Sequence, residues 1–279
     1  MTSHRTTTSN RTAPLNRVDG LAARLGSTGA ARPTLLAVWA HPDDETVVGA
    51  GLMAAAAAQG FRVVSVAATL GEHGTDDPVA SPPARLARIR EQELARALTR
   101  LGADRPVLFG YEDGDCENIA DEAGAERVGS VIVRFDPTAV LTFGPDGVTG
   151  HPDHQAVGRW TASALRARGD STPLIESAAA DAWPEDVVDG LHELGAFWPG
   201  HPCHERPDDS HRVSVGGALL TRKMAALRDH SSQMTRLFDH LGETGMRRMA
   251  AAEAYRPSNA MAAEMFAIRR DDRRTVLAA

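Results

Sequence analysis

The sequence predicts an α/β domain: a three-layer sandwich with a mostly parallel sheet, helices on both faces and the active site at the C-terminal ends of the strands. Two observations carry this expectation. Short apolar runs alternate with helix-spaced segments from residue 33 to residue 168, which is the signature of βαβ units. Clusters of His and Asp also fall directly after two of the apolar runs and directly before helices, where such sheets gather their functional groups.

Thr34–Trp39 is a short apolar run bounded by turn signals and reads as a buried strand. Residues 45–59 are alanine-rich and read as a helix closed by Gly60. Residues 61–69 form the second strand, and 71–83, with Gly, Asp, Ser and Pro, a loop. Over 85–101, Leu86, Ile89, Leu94, Ala97, Leu98 and Leu101 recur at helical spacing, and Gly102 ends the helix. Strands follow at 106–109 and 139–143, helices at 120–134, 155–168 and 219–237. Residues 1–32, rich in Thr, Ser, Arg, Ala and Gly, read as a flexible tail with a short helix near 18–25. Residues 33–279 read as one domain, and 171–216, with Trp183, Trp198 and several prolines, as an insertion covering the site.

A formal net charge of −7 and a pI near 5.9 disfavour nucleic acid and anionic membranes, which reward clustered Lys and Arg. The longest apolar stretch, 47–58, is too short to span a bilayer, and no signal peptide is legible. Two widely separated cysteines, Cys116 and Cys203, argue against a disulfide framework and fit a cytoplasmic location. A homo-oligomer stays open.

The chemistry lies in Ala40-His41-Pro42-Asp43-Asp44-Glu45 and Gly150-His151-Pro152-Asp153-His154, each between a strand and a helix. Alone, a His-Pro-Asp is a turn with a capping carboxylate. Its repetition at two equivalent junctions, each with an extra acid or imidazole, exceeds what capping requires. Imidazoles and carboxylates without nearby thiols suit a catalytic zinc, which keeps a coordination position open for water. One zinc cannot take all of His41, Asp43, Asp44 and His154 in that geometry. One carboxylate is therefore left as a base, and the residue types alone do not say which.

These motifs resemble the PIG-L/LmbE-like zinc N-deacetylases. The resemblance continues through Thr69-Leu70-Gly71-Glu72-His73-Gly74, Arg90-Glu91-Gln92-Glu93-Leu94, Gly110-Tyr111-Glu112-Asp113-Gly114 and the stretch 223–233, and spans about 35–233. It implies a Rossmann-like fold and a zinc hydrolase that removes an N-acetyl group from an N-acetylglucosamine-type small molecule. His41, Asp44 and His154 would bind Zn2+, or another divalent ion such as Fe2+. Asp43 would be the general base. His151, as an imidazolium, would stabilise the oxyanion or protonate the leaving amine. Asp153 would orient or cap, as a hydrogen-bonding partner to an imidazole. Arg90 would face the aglycone or phosphate, and Asp113 would bond sugar hydroxyls. The alternatives are an amidase for a larger N-acyl or thiol conjugate, with a groove formed by 179–198, and a non-catalytic carbohydrate-binding protein.

The mycothiol branch of that family commonly has a tyrosine where this chain has Thr149, which favours the broader family. The Gly49-Ala50-Gly51 pair matches a dinucleotide fingerprint but falls inside a helix, so close helix–sheet packing explains it better. Arg90 and Glu93 could form a surface ion pair. His201, Cys203 and His204 read as ordinary loop residues rather than a second metal site.

Overall fold

A computed structural model describes residues 16–26, 32–169, 171–201 and 210–267. Cys203, His204, most of the expected tail and the C-terminal residues from 268 lie outside them. Seven strands form one sheet among the described residues: β1 (Thr34–Trp39), β2 (Arg62–Ala67), β3 (Val107–Leu108), β4 (Ala139–Phe143), β5 (Leu174–Ser177), β6 (His211–Ser214) and β7 (Ala252–Pro257). Their order is β3-β2-β1-β4-β5-β7-β6. The first five are parallel, and β7 runs antiparallel between β5 and β6. Strand order reverses at β1/β4, so the crevice for a ligand opens beyond the C-terminal ends of those two strands.

Every residue of β1 and β4 is buried, as expected of parallel strands covered on both faces. One group of helices comprises α1 (Val18–Leu25), α3 (Ala50–Ala58), α4 (Pro83–Leu101) and α8 (Gly217–Asp229); α5 (Asp121–Phe135) packs on α6 (Pro152–Ala167). The short α2 (Asp44–Val48) precedes α3, while α7 (Glu185–Glu193), α9 (Ser231–Ala250) and α10 (Ala260–Phe266) complete the helices.

Three expectations change. The helix expected over 45–59 is broken at Gly49, where a Cβ would sit 2.7 Å from the Trp39 ring; at Gly51 it would sit 2.5 Å from the Glu253 carboxylate. Both glycines admit close packing, as the fingerprint's position inside a helix suggested. Residues 18–25 do not belong to a loose tail: Leu21, Ala22 and Leu25 are wholly buried, with α1 packed on α3. The segment 171–216 is only partly a cover, since it contributes β5 and β6 to the sheet itself.

Candidate active site

Both His-Pro-Asp motifs sit at the switch point. His41 follows β1 and leads into α2, and His151 is the N-cap of α6, its Nδ1 accepting the Asp153 N–H at 3.1 Å. Trp39 meets Phe143 edge-on, and the His154 ring stacks on Phe143 at 4.2 Å between centroids. The ends of β1 and β4 thus supply both the backbone that carries the ligands and the aromatic floor beneath one of them.

Inward-facing atoms follow from the outer hydrogen bonds. His154 Nδ1 donates to the Gly147 carbonyl at 2.9 Å, leaving Nε2 with a free lone pair. His41 Nε2 faces Asp113 at 3.0 Å and Asp153 at 3.2 Å, which leaves Nδ1 inward. His41 Nδ1 lies 3.1 Å from His154 Nε2 and 3.6 Å from Asp44 Oδ2, and His154 Nε2 lies 3.3 Å from Asp44 Oδ1. A tetrahedral ion bonded at ~2.0–2.2 Å separates its donors by roughly 3.3–3.6 Å, so this trio fits a divalent metal. Two further triads also bring donor atoms within 4.8 Å, His41 with His151 and His154, and His41 with Asp113 and Asp153. They suit a metal less well. His151 Nδ1 already accepts a backbone N–H, and Asp153 accepts from the N–H groups of Gly114 at 2.8 Å and Cys116 at 3.1 Å. Asp153 and Asp113 instead form the carboxylate backing of His41, the arrangement that fixes the ring of a metal-binding histidine.

Electrostatics set a proton where the metal fits. Burial disfavours a charged His41, but its bonds to Asp113 and Asp153 and the nearby Asp44 outweigh that and raise its pKa to about 10. Burial raises Asp44 to about 6, with His41 opposing, and lowers His154 to about 3, assisted by the charge on His41. At neutral pH the His41 Nδ1 proton therefore points at His154 Nε2, and a metal must displace it. Metal affinity is expected to rise about tenfold per pH unit from about pH 6 to the His41 value of about 10, and more steeply below 6, where Asp44 must also lose a proton. Calorimetry in buffers of differing ionisation enthalpy counts the released protons; a pH-independent affinity would contradict this ligand set.

Asp43 stands beside the trio in a strained conformation, φ 106°, that non-glycine residues rarely adopt. Burial raises its pKa to about 6, with the Arg90 charge opposing. Arg90 donates to Asp43 at 3.2 Å, to the Pro42 carbonyl at 2.5 Å and to the Gly71 carbonyl at 2.7 Å. The side chain is buried, and a Cβ on Gly71 would fall 2.3 Å from its guanidinium. The surface ion pair considered for Arg90 and Glu93 is not found. Glu93 is also buried and accepts from Ser231 Oγ, Ser232 Oγ and Ser232 N–H at 2.6–2.9 Å, anchoring the first turn of α9. Glu45 accepts the Asp43 N–H at 3.0 Å and meets His230 Nε2 at 2.7 Å. This buried pair holds the strained peptide from below.

A cavity of about 390 Å³ opens over the trio and includes His41, Asp43, Asp44, Arg90, Asp113, His151 and His154 in its wall. Asp153 lies beneath, fully buried. Both Asp113 oxygens are engaged, one by His41 and one by the His73 N–H at 2.9 Å. Thr149 lines the cavity, and Trp198 crosses His151 edge-on at 4.9 Å between centroids. His201 stacks on Phe197, and its neighbours Cys203 and His204 lie outside the described residues. Sequence reasoning did not find Phe143, Gln233 or the Glu45–His230 pair; the Glu45 carboxylate inside the first motif and the histidine of the 223–233 stretch were the available signals.

An α/β sheet with a His/Asp group that could hold a metal at its switch point defines the class of site. Residues 36–165, which contain both motifs, match the family PIG-L, described as GlcNAc-PI de-N-acetylase. The chain is 37% identical over 238 residues to a 1D-myo-inositol 2-acetamido-2-deoxy-alpha-D-glucopyranoside deacetylase of Rhodococcus jostii, covering 72% of this chain and 82% of that protein. Among solved structures it is similar to the pseudoaglycone deacetylase of an antimicrobial reagent, with 25% identity, TM-score 0.57, and 81% and 97% of the two chains covered. It also shares its fold with the 4-carboxy-2-hydroxymuconate hydratase of Pseudomonas putida, at 20% identity, TM-score 0.55, and 81% and 96% coverage. The fold alone therefore does not choose the reaction; the identity to a deacetylase over 72% of the chain does. The chain belongs to the PIG-L family of N-deacetylases.

Proposed function

We propose that this chain is a cytoplasmic zinc-dependent N-deacetylase that hydrolyses the N-acetyl amide of an N-acetylglucosamine-type glycoside, a small-molecule substrate. One observation carries the reading: His41 Nδ1 and His154 Nε2 converge at 3.1 Å, each with an Asp44 carboxylate oxygen at 3.6 and 3.3 Å, and a second acid, the half-buried Asp43, stands beside them turned to Arg90. Two imidazoles and one carboxylate suit zinc, with iron(II) the competing ion. Bound there, zinc supplies a Lewis acid with an open position for water and the substrate carbonyl.

Asp43, raised to about 6, is ionised at neutral pH yet basic enough to take the proton of the attacking water. Arg90 holds its carboxylate in place and keeps it off the ligand trio. His151 is lowered to about 3 by burial and by the His41 charge, and its Nδ1 accepts the Asp153 N–H. With Nδ1 engaged as an acceptor, the ring carries its proton on Nε2, and that N–H is the donor available to the oxyanion. Removing one such donor costs ~10²–10³ in rate. The proton on Asp43 is then available to the leaving nitrogen. Arg90 and Asp113, on one flank of the cavity, are the candidates for contact with the sugar. Among the described residues no helix is long and apolar enough to cross a membrane.

The test is acetate release by zinc-loaded protein from N-acetylglucosaminides with varied aglycones, an inositol among them. Release that depends on the aglycone is expected; none from folded, metal-loaded protein would overturn the reading.

A further inference from the structure

We propose that the junction between α8 and α9, from His230 to Gln233, positions the catalytic base, with His230 acting through Glu45 on the peptide that carries Asp43. This rests on the N-deacetylase reading and adds to it a histidine that touches neither substrate nor metal.

The geometry centres on one peptide unit. Asp43 holds φ at 106°, a conformation that persists in a non-glycine residue only where its surroundings over-determine it. Both polar groups of the peptide between Pro42 and Asp43 are held. The Pro42 carbonyl accepts from Arg90 at 2.5 Å, and the Asp43 N–H donates to Glu45 Oε2 at 3.0 Å. With both sides of that plane fixed, the direction in which the Asp43 side chain leaves the backbone is set.

Both holders trace back to the α8/α9 junction. Glu45 Oε1 accepts from His230 Nε2 at 2.7 Å and from the Thr46 hydroxyl at 2.5 Å, which fixes the carboxylate that receives the Asp43 N–H. Arg90 and Glu93 lie three residues apart on one face of α4. Ser231 and Ser232 donate to Glu93, so the start of α9 secures the helical turn from which Arg90 reaches Pro42 and Asp43. Gln233 completes the junction, lining the cavity and donating to the Gly74 carbonyl at 3.1 Å.

A buried histidine that only ties helices together is expected to have both ring nitrogens paired. His230 is fully buried, yet its Nδ1 has no hydrogen-bond partner among the described residues, and the one side-chain bond it makes there goes to Glu45. An unpaired interior nitrogen is unfavourable. Here it accompanies an N–H aimed at the carboxylate beneath the base.

The experiment uses the zinc-loaded full chain and an N-acetylglucosaminide that it cleaves. His230→Phe removes the donor and keeps a planar ring. Its kcat is expected to fall ~10–10²-fold with KM and zinc content unchanged, because a base misplaced by about 1 Å loses that much. His230→Gln, whose amide nitrogen reaches where Nε2 lies, should regain most of the loss, and the shorter His230→Asn should not. Adding His230→Phe to Asp43→Ala should cost no further turnover, since the two residues act as a unit. A readout without turnover is exchange of the Asp43 amide hydrogen, followed by NMR. It should accelerate about tenfold in His230→Phe while the amides of β1 keep the parent's rates. If His230→Phe does not fold, His230→Asn carries the same comparisons. If kcat does not fall, or falls by the same factor with and without Asp43, or if the variant loses zinc, the positioning role is overturned while the deacetylase reading stands. If the parent cleaves no N-acetylglucosaminide, that reading falls and the exchange rates decide alone. An Asp43 amide exchanging at the parent's rate then overturns the role, and acceleration confined to that peptide upholds it.

Discussion

Replacing Asp43 by alanine is expected to lower turnover of an N-acylated amino sugar by ~10²–10⁴-fold while leaving the metal content unchanged. The two effects separate because Asp43 and Asp44, adjacent in sequence, have different partners. Asp44 accepts the His41 N–H at 2.7 Å and lies within 3.6 Å of both inward imidazole nitrogens. Asp43 is turned aside to Arg90 by a backbone at φ 106°. Elemental analysis of purified Asp43→Ala and Asp44→Ala should show one metal per chain in the first and a deficit in the second. The pH profile follows from the same geometry. A base acts only when ionised, and burial raises Asp43 to about 6, so activity should climb as pH rises through 6 and that limb should shift in the variant. Asp44 is raised to about the same value and lies next to Asp43, so the limb reports the acid pair rather than one residue. Loss of metal from Asp43→Ala would exchange the two roles.

The choice between these acids shows where sequence reasoning stops. Strand, loop and helix are legible around both motifs because burial on both faces makes β1 and β4 continuous apolar runs. The spacing of His and Asp at two equivalent junctions was enough to expect a metal. What separates a ligand from a base is a backbone angle and a neighbouring guanidinium, and neither leaves a trace in local residue pattern. Glu93 illustrates the same limit. On a helix beside Arg90 it resembles a surface charge, yet it is buried because Ser231 and Ser232, far along the chain, supply its hydrogen bonds. Long-range satisfaction of a buried carboxylate has no sequence period.

The end of the chain was least legible, and it holds a buried charge cluster. Strand β7 is short, alanine-containing and interrupted by Glu253 and Arg256, so it carries none of the continuous apolar character of β1. Its two charges are nevertheless buried. Arg256 reaches Asp181 at 3.0 Å and Asp146 at 3.4 Å, tying the loop before His151 to the strand. Glu253 reaches farther, as its contacts with two helices show.

Glu253→Ala is accordingly expected to destabilise the fold by ~3–5 kcal/mol, the typical result of removing one partner from a buried ion pair. Glu253 and Lys223 are both fully buried, with Lys223 Nζ 2.6 Å from the carboxylate. The same carboxylate accepts the Gly51 N–H at 2.8 Å, the Leu52 N–H at 3.2 Å and the Tyr255 hydroxyl, so one side chain joins β7, α8 and the first turn of α3. Its negative charge also complements the exposed amide dipoles of the α3 N-terminus. Deleting it strands an ammonium and three further donors in the interior. The cost converts to a fall in melting temperature of roughly 6–20 °C for a chain of this size, read by thermal denaturation. Glu253→Gln keeps an acceptor oxygen and should lose less. Adding Lys223→Met to Glu253→Gln should return part of the lost stability, because the stranded charge is then gone and its space is filled by an apolar chain of similar length. If instead Lys223→Met leaves Glu253→Gln no more stable, the penalty lies in the lost helix-terminal hydrogen bonds rather than in the unpaired ammonium. A Glu253→Ala protein melting within 2 °C of the parent would refute the clamp altogether.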